Sequence, residues 1–490
     1  MTDNPSPIIA AIDMGSNSFH FCVARRVKDQ IQQVYSFKQR VRLAEGMDDD
    51  GNLCPQAMER GLECLNQFAD KLAELEVDQT RAVATFALRQ APNREDFVDE
   101  ANRILPCEIE VVPGVEEARL IFQGVRLSQH IDRPSLVIDI GGGSTEFIIG
   151  GENEPQMLHS EAMGCVSFQQ YFFSKEISKR QFKKAILRAE RQMHPFVNAF
   201  KHQGWDKVIG TSGTVKAIMN LCLNQADDQS RLTDEHLKQL QQDLCDDPQQ
   251  LLDAGLDPER LRVLPGGLAV LRGIFSVFKI EAMEFSPAAL REGVISEMLH
   301  PTHIGSVANH TVDSLRRLYH VDQDHADNVS KSLAYLISGL KIKVELQQLL
   351  FWAAQLHEIG IQLNPKGFQR HSGYILSEAN MRGFNLEQQQ VLAWLVSHHR
   401  KNLKNLQKLD VRLASNKQLM QSLIALRIAC LLHLGHTSNH YPVTLTQDGE
   451  HMHLGLPPEL YQNELLMSEL VREQHYLKVV NWSLSVEEVD

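Results

Sequence analysis

Apolar residues in the first third of the chain fall into two kinds of pattern. Short runs such as Ile8–Ile12 are typical of buried strands, whereas apolar positions three or four apart predict a helix that begins at Pro55 (Met58, Leu62, Leu65, Phe68, Leu72, Leu75). Further strands are predicted at residues 81–85 and 107–112, and a helix at 116–125 follows the second of them. Because strands alternate with helices, this part of the chain is predicted to form an α/β sheet.

The apolar pattern changes after about His300, where long helical segments replace the alternation. Helices are predicted within three segments: Ser330–Leu340, Gln347–Gly360 and Met420–Leu434. Near the end, apolar runs at 443–445 and 451–456 flank Asp448-Gly449, which is a strong hairpin signal. Another helix and a strand at 479–484 are predicted to complete a small α+β tail.

One pattern occurs twice: an apolar strand, an Asp near its end, and a turn of Gly and hydroxyl residues. The first copy is Ile12-Asp13-Met14-Gly15-Ser16-Asn17-Ser18, and the second is Ile138-Asp139-Ile140-Gly141-Gly142-Gly143-Ser144-Thr145. Such turns converge several backbone N–H groups on one point, and Gly lets the backbone approach a phosphate closely. The repeat indicates two similar halves that face each other, with Asp carboxylates suited to Mg²⁺. The alternative is a duplicated hairpin that binds no ligand.

Composition and charge exclude several classes of protein. Hydrophobic residues make up 43% and charged residues 23%, which is typical of a folded, water-soluble chain. No apolar run is long enough to span a membrane, and Met1–Pro7 lacks the features of a signal peptide, so we expect a cytoplasmic protein, for which peripheral membrane association stays open. The net charge of −13 argues against broad binding to nucleic acid. The eight cysteines are scattered without a C-x-x-C pair and are expected to be free thiols.

Several motifs carry a resemblance to a known family. The two Gly-rich turns resemble the phosphate loops of the actin and hexokinase superfamily, and Gly210-Thr211-Ser212-Gly213-Thr214 resembles its third loop. Within it, the chain resembles the exopolyphosphatase/guanosine pentaphosphate phosphatase family through stretches in the family's order: Asp13–His20, Gly114–Leu120, Asp139–Glu146, Met163–Phe168 and Leu290–Val294. The match continues through Leu356–Gly360, Arg370–Ser372 and His398–Lys401, so it spans nearly the whole chain.

The resemblance implies an α/β fold with two actin-like (ribonuclease H-like) halves, at residues 1–125 and 126–300. A helical domain similar to HD phosphohydrolases, at 301–435, and a small α+β domain, at 436–490, are expected to follow. HD enzymes hold metal with a His, an adjacent His-Asp pair and a distant Asp. Here the pair is His357-Glu358 and the distant position is Cys430. Because both carboxylate positions differ, this domain is predicted to perform no metal catalysis, and its histidines are assigned to packing and a basic surface.

The resemblance also implies the residues of the active site. Glu117 falls on the family's catalytic glutamate, placed to orient or deprotonate an attacking water, while Glu116 is expected to be solvated and favoured by the helix dipole. Glu146 is a second catalytic acidic residue, and Asp139 and Glu146 would hold Mg²⁺, with K⁺ as a stimulating ion. The expected phosphate-binding residues lie in the loops and at one clamping arginine: Gly15, Ser16, Asn17, Ser18, Arg89, Gly141, Gly142, Gly143, Ser144, Thr145 and Gly213.

An acidic chain that acts on a polyanion needs local positive patches. One basic cluster is Lys38–Arg42, and others lie in the helical region, where a polyphosphate track is predicted (Arg370, His371, His399, Arg400, Lys401). Each cluster taken alone is more simply explained as solvated surface.

The predicted function is that of an exopolyphosphatase, which releases orthophosphate processively from the end of inorganic polyphosphate. Basic clusters along a track favour a long anionic chain, and no sequence feature indicates a guanine pocket. The alternative is a guanosine pentaphosphate 5′-phosphatase that gives guanosine tetraphosphate in the stringent response. Less favoured alternatives are an ATP-dependent kinase or ATPase and a non-catalytic sensor of phosphorylated nucleotides. The expected partner is inorganic polyphosphate or guanosine pentaphosphate, without nucleic acid or a stable membrane span, in a homodimer.

Overall fold

The computed structural model describes residues 7–27, 30–48, 50–129, 131–152, 155–223, 231–253, 256–299, 302–436 and 442–489. The chain divides into two compact units, Met1–His303 and Ile304–Asp490. The four-part division with boundaries at 125, 300 and 435 stays a prediction. No helix of the described residues is long and apolar enough to cross a membrane.

The first unit contains two five-stranded sheets. The strands of the first are β1 (Ile8–Met14), β2 (Ser18–Val27), β3 (Gln30–Arg40), β4 (Gln79–Ala84) and β5 (Ile109–Val111). Those of the second are β6 (Ser135–Ile140), β7 (Thr145–Gly150), β8 (Met157–Glu161), β9 (Lys207–Thr211) and β10 (Glu284–Phe285). Their orders are β3-β2-β1-β4-β5 and β8-β7-β6-β9-β10. In each sheet the first strand pairs antiparallel with the second and parallel with the fourth, which confirms two actin-like halves.

Twelve helices accompany these sheets in the described part of the first unit. Those of the first half are α1 (Pro55–Glu74), α2 (Phe86–Gln90), α3 (Arg94–Ile104) and α4 (Gly114–Ser128), after a short 3₁₀ turn at Ala44–Gly46. Those of the second half are α5 (Cys165–Phe172), α6 (Lys179–Gln203), α7 (Ser212–Cys222), α8 (Asp234–Asp246), α9 (Gln249–Asp253), α10 (Pro258–Leu261), α11 (Leu264–Phe278) and α12 (Leu290–Leu299). The sequence predicted a strand at residues 81–85, but the strand ends at Ala84 and α2 begins at Phe86, so Arg89 lies on a short helix.

Helices α4 and α12 join the two halves through a common core. Buried side chains of α4, such as Ile121 and Phe122, belong to one apolar cluster with Ile9 of β1, Ile148 of β7 and Val294 of α12. The two helices cross with their backbones in contact. A Cβ on Gly124 would lie 1.9 Å from the carbonyl oxygen of Ala289, and a Cβ on Gly293 would lie 1.9 Å from that of Leu120. Only glycine permits so close a crossing.

A buried network of charges ties the same two helices to the first sheet. Arg119 of α4 donates to Glu116 at 2.9 Å and also pairs with Glu297 of α12. Arg81 of β4 joins Glu297 at 2.8 Å and Glu110 at 2.9 Å. Because each buried charge has an opposite partner, the cost of removing these groups from water is offset. The network thereby fixes α12 against the first half.

The second unit is mainly helical, as predicted. Its elements are α13 (Thr302–Leu318), α14 (Gln323–Ser338), α15 (Val344–Leu356), α16 (Phe368–Glu378), α17 (Leu386–His398) and α18 (Asn416–Leu432), then β11 (Thr444–Asp448), β12 (His451–Leu456), α19 (Pro458–Tyr461), α20 (Glu464–Lys478) and β13 (Ser483–Glu488). The hairpin at Asp448-Gly449 is present. The last strand begins at Ser483 rather than at residue 479, because α20 continues to Lys478. Leu445 and Leu454 of the hairpin share one core with Leu350 and Leu423 of the helices.

Candidate active site

A cavity of about 440 Å³ lies where the two halves of the first unit meet. It is lined by both Gly-rich turns, by the start of α7 and by the segment that leads into α12. The lining includes most of the predicted phosphate-binding residues, the predicted metal ligand Asp139 and the predicted catalytic residue Glu117: Gly15, Ser16, Asn17, Ser18, Glu117, Asp139, Gly141, Gly142, Ser144 and Gly213. The structure therefore brings together the two repeated turns and the loop Gly210–Thr214 that the family resemblance added.

The two repeated turns have the same local geometry. The backbone N–H of Gly15 donates to the carbonyl of Ser18 at 3.2 Å, and that of Gly141 donates to the carbonyl of Ser144 at 2.9 Å. The third loop begins α7 at Ser212, whose positive φ of 76° turns its hydroxyl towards the carbonyl of Ile140, 2.8 Å away. Each turn thus follows the end of a central strand, where Gly-rich backbone offers N–H groups to an anion.

Three buried carboxyl groups, Glu117, Asp139 and Glu146, and the partly buried carboxyl group of Asp13 lie in and beside this cavity. Loss of hydration disfavours their charged forms and raises the pKa of Asp13 to about 7 and that of Asp139 to about 8. Burial, reinforced for Glu146 by repulsion from Glu117 and Asp139, also raises the pKa values of Glu117 and Glu146. Such a cluster favours a bound cation, which would stabilise the ionised forms.

The same carboxyl groups fit Mg²⁺ better than an ion held wholly by protein. Among the residues that the structure describes, no three of them bring oxygens within 4.8 Å of one another. Mg²⁺ is commonly held by one or two carboxylates, and water and substrate phosphates complete its octahedron. An arrangement of spaced carboxylates leaves room for those ligands.

Glu117 is held by the predicted clamping arginine. Nη1 of Arg89 donates to Oε2 of Glu117 at 2.9 Å and to the carbonyl of Val112 at 2.9 Å. Arg89 does not belong to the described lining of the cavity, whereas Glu117 does. In this structure Arg89 therefore orients the glutamate, and its contact with phosphate stays a prediction.

Three other predicted residues lie behind the cavity wall rather than on it. Glu146 is buried and accepts a hydrogen bond from the Ser160 hydroxyl at 2.9 Å. The hydroxyl of Thr145 donates to the carbonyl of Met163. Gly143 lies under the ring of Phe86, where a Cβ would come within 2.1 Å of a ring carbon. Their predicted roles in catalysis or binding stay untested, and their contacts support the second turn from behind.

The sequence-based interpretation of Glu116 as a solvated helix-start residue is wrong. Its exposed fraction is only 3%, and its carboxylate pairs with Arg119, which also pairs with Glu297. A charge in the first turn of a helix is usually exposed, but here α4 is covered by both halves. Glu116 therefore belongs to the buried network between the halves.

Four basic residues that line the cavity were absent from the predicted site: Lys38, Lys216, Arg260 and Arg291. Burial and the neighbouring Arg260 and Arg291 lower the pKa of Lys38 to about 8. Arg260 lies against the third loop, since a Cβ on Gly213 would be 2.9 Å from its Nη1. Lys38 belongs to the basic cluster at 38–42, and Arg291 to the Leu290–Val294 motif, so two of the four had a signal in the sequence. They supply the local positive patch that an acidic chain needs for a phosphate.

The residues of the predicted track lie in the second unit. His399, Arg400 and Lys401 line a different cavity, of about 400 Å³, whereas Arg370 and His371 lie on α16 and are not part of its described lining. His399 is buried, with an exposed fraction of 2%, so its side chain is not surface. A polyphosphate track over these residues stays a prediction.

Comparison with known proteins decides the family. The model of the Ppx/GppA phosphatase family matches residues 22–302, and that of Ppx/GppA phosphatase domain III matches residues 307–474. The chain belongs to the Ppx/GppA phosphatase family. It is accordingly a phosphoanhydride hydrolase with the actin-like fold, as the resemblance implied.

Relatives named for one substrate match nearly the whole chain. A guanosine-5′-triphosphate,3′-diphosphate pyrophosphatase of Aeromonas hydrophila is 37% identical over 97% of this chain and 98% of its own. A protein of the same name from Vibrio vulnificus is 35% identical over 98% of both chains. Among solved structures, an exopolyphosphatase from Cytophaga hutchinsonii is 26% identical, with a TM-score of 0.56 over 60% of this chain and 98% of its own. The family member from Aquifex aeolicus, 23% identical with a TM-score of 0.52, has the same fold.

Proposed function

We propose that the protein hydrolyses the terminal 5′-phosphate of guanosine pentaphosphate, giving guanosine tetraphosphate and orthophosphate. The observation that carries this proposal is the near-complete match, at 37% and 35% identity, to two relatives named for that guanosine substrate. The match to the exopolyphosphatase structure covers only 60% of the chain, at 26% identity. Hydrolysis of guanosine pentaphosphate was the second choice from the sequence, and hydrolysis of polyphosphate was the first. The comparisons support the guanosine substrate better.

The terminal phosphate would lie between the two Gly-rich turns. Their backbone N–H groups and the hydroxyls of Ser16, Ser18 and Ser144 are suited to its oxygens. Lys38, Arg260 and Arg291 face the same cavity and would neutralise the charge of the phosphate chain. In phosphoryl transfer most of the catalysis comes from such positioning and electrostatic stabilisation.

Glu117 would then act on the attacking water. The water oxygen attacks the terminal phosphorus, the bond to the bridging oxygen breaks, and the water proton passes to Glu117. Burial raises the pKa of this carboxyl, which brings it nearer to the range in which a general base is most effective. Arg89, at 2.9 Å, fixes the direction of its carboxylate. The departing nucleotide leaves with the bonding electrons on its own terminal oxygen.

Asp139, with Glu146 behind it and Asp13 opposite, provides the oxygen donors that would hold Mg²⁺. The ion would neutralise charge on the phosphate oxygens. The protein groups around it keep the water and the phosphorus in line.

The test is a comparison of kcat/KM for purified protein on guanosine pentaphosphate and on long polyphosphate. We expect at least about a tenfold preference for the guanosine substrate, which corresponds to about 1.4 kcal/mol of transition-state discrimination. ATP, assayed in parallel, separates this reaction from a general ATPase. A preference for polyphosphate by the same factor would overturn the substrate assignment. Loss of both activities in Glu117→Gln would show that each arises in this cavity.

A further inference from the structure

The second unit contains a cluster of histidines that the phosphatase reaction does not use. His325 at the start of α14 and His357-Glu358 after α15 bring one ligand atom each to within 4.8 Å of one another. All three are buried and line the cavity of about 400 Å³. In the part of the chain that the structure describes, no other group of three such side chains gathers so closely.

Each ring is placed with a nitrogen towards the carboxylate of Glu358. Nε2 of His325 lies 3.8 Å from Oε1 of Glu358, and Nε2 of His357 lies 4.0 Å from the same oxygen. Nδ1 of His357 lies 2.7 Å from the carbonyl of Ala354, to which it can only donate. That hydrogen bond leaves the lone pair on Nε2, the arrangement of metal-binding histidines whose other nitrogen is held by a carbonyl.

A third ring comes from the segment that follows α18. Nε2 of His436 lies 3.7 Å from the same Glu358 oxygen, and its Nδ1 lies 3.2 Å from Oδ2 of Asp322. The rings of His436 and His325 are stacked, with centroids 3.7 Å apart. Three imidazole nitrogens therefore surround one carboxylate oxygen.

The separations of the nitrogens from the Glu358 oxygen can be compared with those of ligands on one ion. Metal–nitrogen bonds of about 2.0–2.1 Å in a tetrahedron place neighbouring ligand atoms about 3.3 Å apart. The observed separations from the Glu358 oxygen are 3.7, 3.8 and 4.0 Å, so each nitrogen would approach that oxygen by about 0.4–0.7 Å on binding an ion. The ligand atoms of His325 and His357 lie within 4.8 Å of each other.

The cavity is also lined by cations, and two of them are matched by anions. Arg427 pairs with Glu473 at 2.7 Å, and Arg472 pairs with Glu469 at 2.7 Å. Arg400 and Lys401 line the same cavity, so a divalent ion would meet imidazole nitrogens and one carboxylate beside two further cations.

We propose that His325, His357 and Glu358, with His436 as the fourth donor, form a binding site for a divalent transition-metal ion of the Zn²⁺ class. Imidazole nitrogens favour such ions over Mg²⁺, which prefers oxygen ligands. The ion would link three segments that are separate in the sequence: α14, the turn after α15 and the segment after α18. The site is independent of the proposed phosphatase reaction, and it requires no metal catalysis in this domain.

The experiment uses the full chain, stripped with a chelator and held in excess Mg²⁺ so that oxygen-rich sites stay filled. Zn²⁺ is added, unbound ion is removed by gel filtration, and bound zinc is counted by mass spectrometry. We expect one zinc per chain and a rise in melting temperature. Co²⁺ in place of Zn²⁺ should give the visible absorption of a tetrahedral, nitrogen-rich site.

Variants assign the ion to the cluster. His357→Gln and Glu358→Gln should each weaken zinc binding at least about tenfold, since even residues that only support metal ligands cost about 10–100-fold. His399→Gln is the matched control, because His399 is equally buried on the same cavity wall but lies outside the cluster. It should keep the zinc.

Two results would overturn the proposal: no zinc bound by the wild-type chain, or equal binding by wild type and the cluster variants. Loss of zinc in Asp139→Asn would likewise overturn it, because the ion would then belong to the phosphate cavity. If His357→Gln does not fold, His436→Gln replaces it. His436 is 43% exposed, so this change should leave the metal-free melting curve unchanged while it weakens zinc binding.

Discussion

The phosphate cavity of the first unit and the histidine cavity of the second are similar in volume, about 440 and 400 Å³, but burial acts on their titratable groups with opposite sign. In the first, loss of hydration raises the pKa values of Asp13 and Asp139. In the second, it lowers those of His325 and His357. Both clusters are thereby pushed towards neutral forms, and each becomes a different kind of receptor for a cation.

The spacing of the donors separates the two cavities further. The carboxylates of the phosphate cavity are too far apart for three to meet on one ion, which leaves room for water and a phosphate chain. The histidines of the second unit converge within 4.8 Å with Glu358. A spaced, oxygen-rich site suits turnover, whereas a convergent, nitrogen-rich site suits retention of an ion. Similar burial therefore supports two distinct roles.

The largest expected effect is that of Glu117→Gln in the phosphate cavity. The change keeps the shape of the side chain and its contact with Arg89 but removes the proton acceptor, so turnover should fall by about 10²-fold or more. Substrate affinity and the melting curve should stay near wild type. Steady-state phosphate release measures the effect, and a loss of less than about threefold would remove Glu117 from the role of base, given the size expected of a lost base.

Two controls sharpen that result. Glu63→Gln, on the exposed face of α1, should leave turnover unchanged. Glu116→Gln lies on the same helix as Glu117 and is also buried, but it breaks the pair with Arg119. It should lower the free energy of unfolding by about 1–3 kcal/mol without altering the pH profile of kcat. If Glu117→Gln and Glu116→Gln have the same pH profile of kcat, the lower turnover of Glu117→Gln results from disturbed positioning and not from a lost proton acceptor.

A second prediction concerns the metal that each cavity prefers. Asp139→Asn should raise the Mg²⁺ concentration for half-maximal activity about tenfold or more, because a carboxylate ligand becomes a neutral amide. Zinc bound in the second unit should not change. Asp132→Asn, an exposed position just before β6, is the matched control. An unchanged Mg²⁺ requirement in Asp139→Asn would exclude that residue as a ligand.

A smaller effect is expected in the pH dependence of stability without metal. In the unfolded chain Asp13 and Asp139 lose their protons near their ordinary pKa of 3.8, but in the folded chain they keep them up to about pH 7 and 8. The folded state binds more protons in that range, so stability should fall as pH rises. The histidines act in the opposite direction, but only below their ordinary pKa of 6.5.

Melting curves at pH 7 and pH 8 lie above the range in which the histidines act. Lys38, whose pKa is lowered to about 8, opposes the carboxyl groups towards pH 8, so wild type and Asp139→Asn are compared at both pH values. The metal-free protein should melt at a lower temperature at pH 8, and added Mg²⁺ should raise that temperature more at pH 8 than at pH 7. Asp139→Asn should weaken both trends. A melting temperature that rises from pH 7 to pH 8 would show that the carboxyl groups are already ionised in the folded protein.

Sequence patterns predicted the architecture of the first unit well, for a physical reason. The turns after Asp13 and Asp139 are local features, because each is formed by consecutive Gly and hydroxyl residues. The choice of Glu117 over Glu116 rested on the family resemblance. Burial of Glu116 depends on two halves closing over α4, which no local pattern records. The error there follows from treating a helix start as surface.

The histidine cluster illustrates what local patterns cannot provide. Its members come from the start of α14, the turn after α15 and the segment after α18, so their meeting depends on the packing of three helices. Only His357-Glu358 was recognised as a motif in the sequence. Because both carboxylate positions of HD enzymes differ here, the histidines were assigned to packing and a basic surface. Arg260 of the phosphate cavity was missed for the same reason, since it lies on the short helix α10, far from any loop motif.

The close crossing of α4 and α12 at Gly124 and Gly293 limits how far the residues of the active site can move relative to one another. Glu117 lies about two turns from Gly124 on α4, and Arg291 lies next to the crossing on α12. At this crossing backbone atoms contact backbone atoms, and no flexible side chain lies between the helices to adjust to a displacement. The distance between Glu117 and Arg291 is therefore closely fixed. A shift of about 1 Å in such a site can cost about 10²-fold in rate. The alignment of the reaction thus depends on two residues that have no side chain and no chemistry of their own.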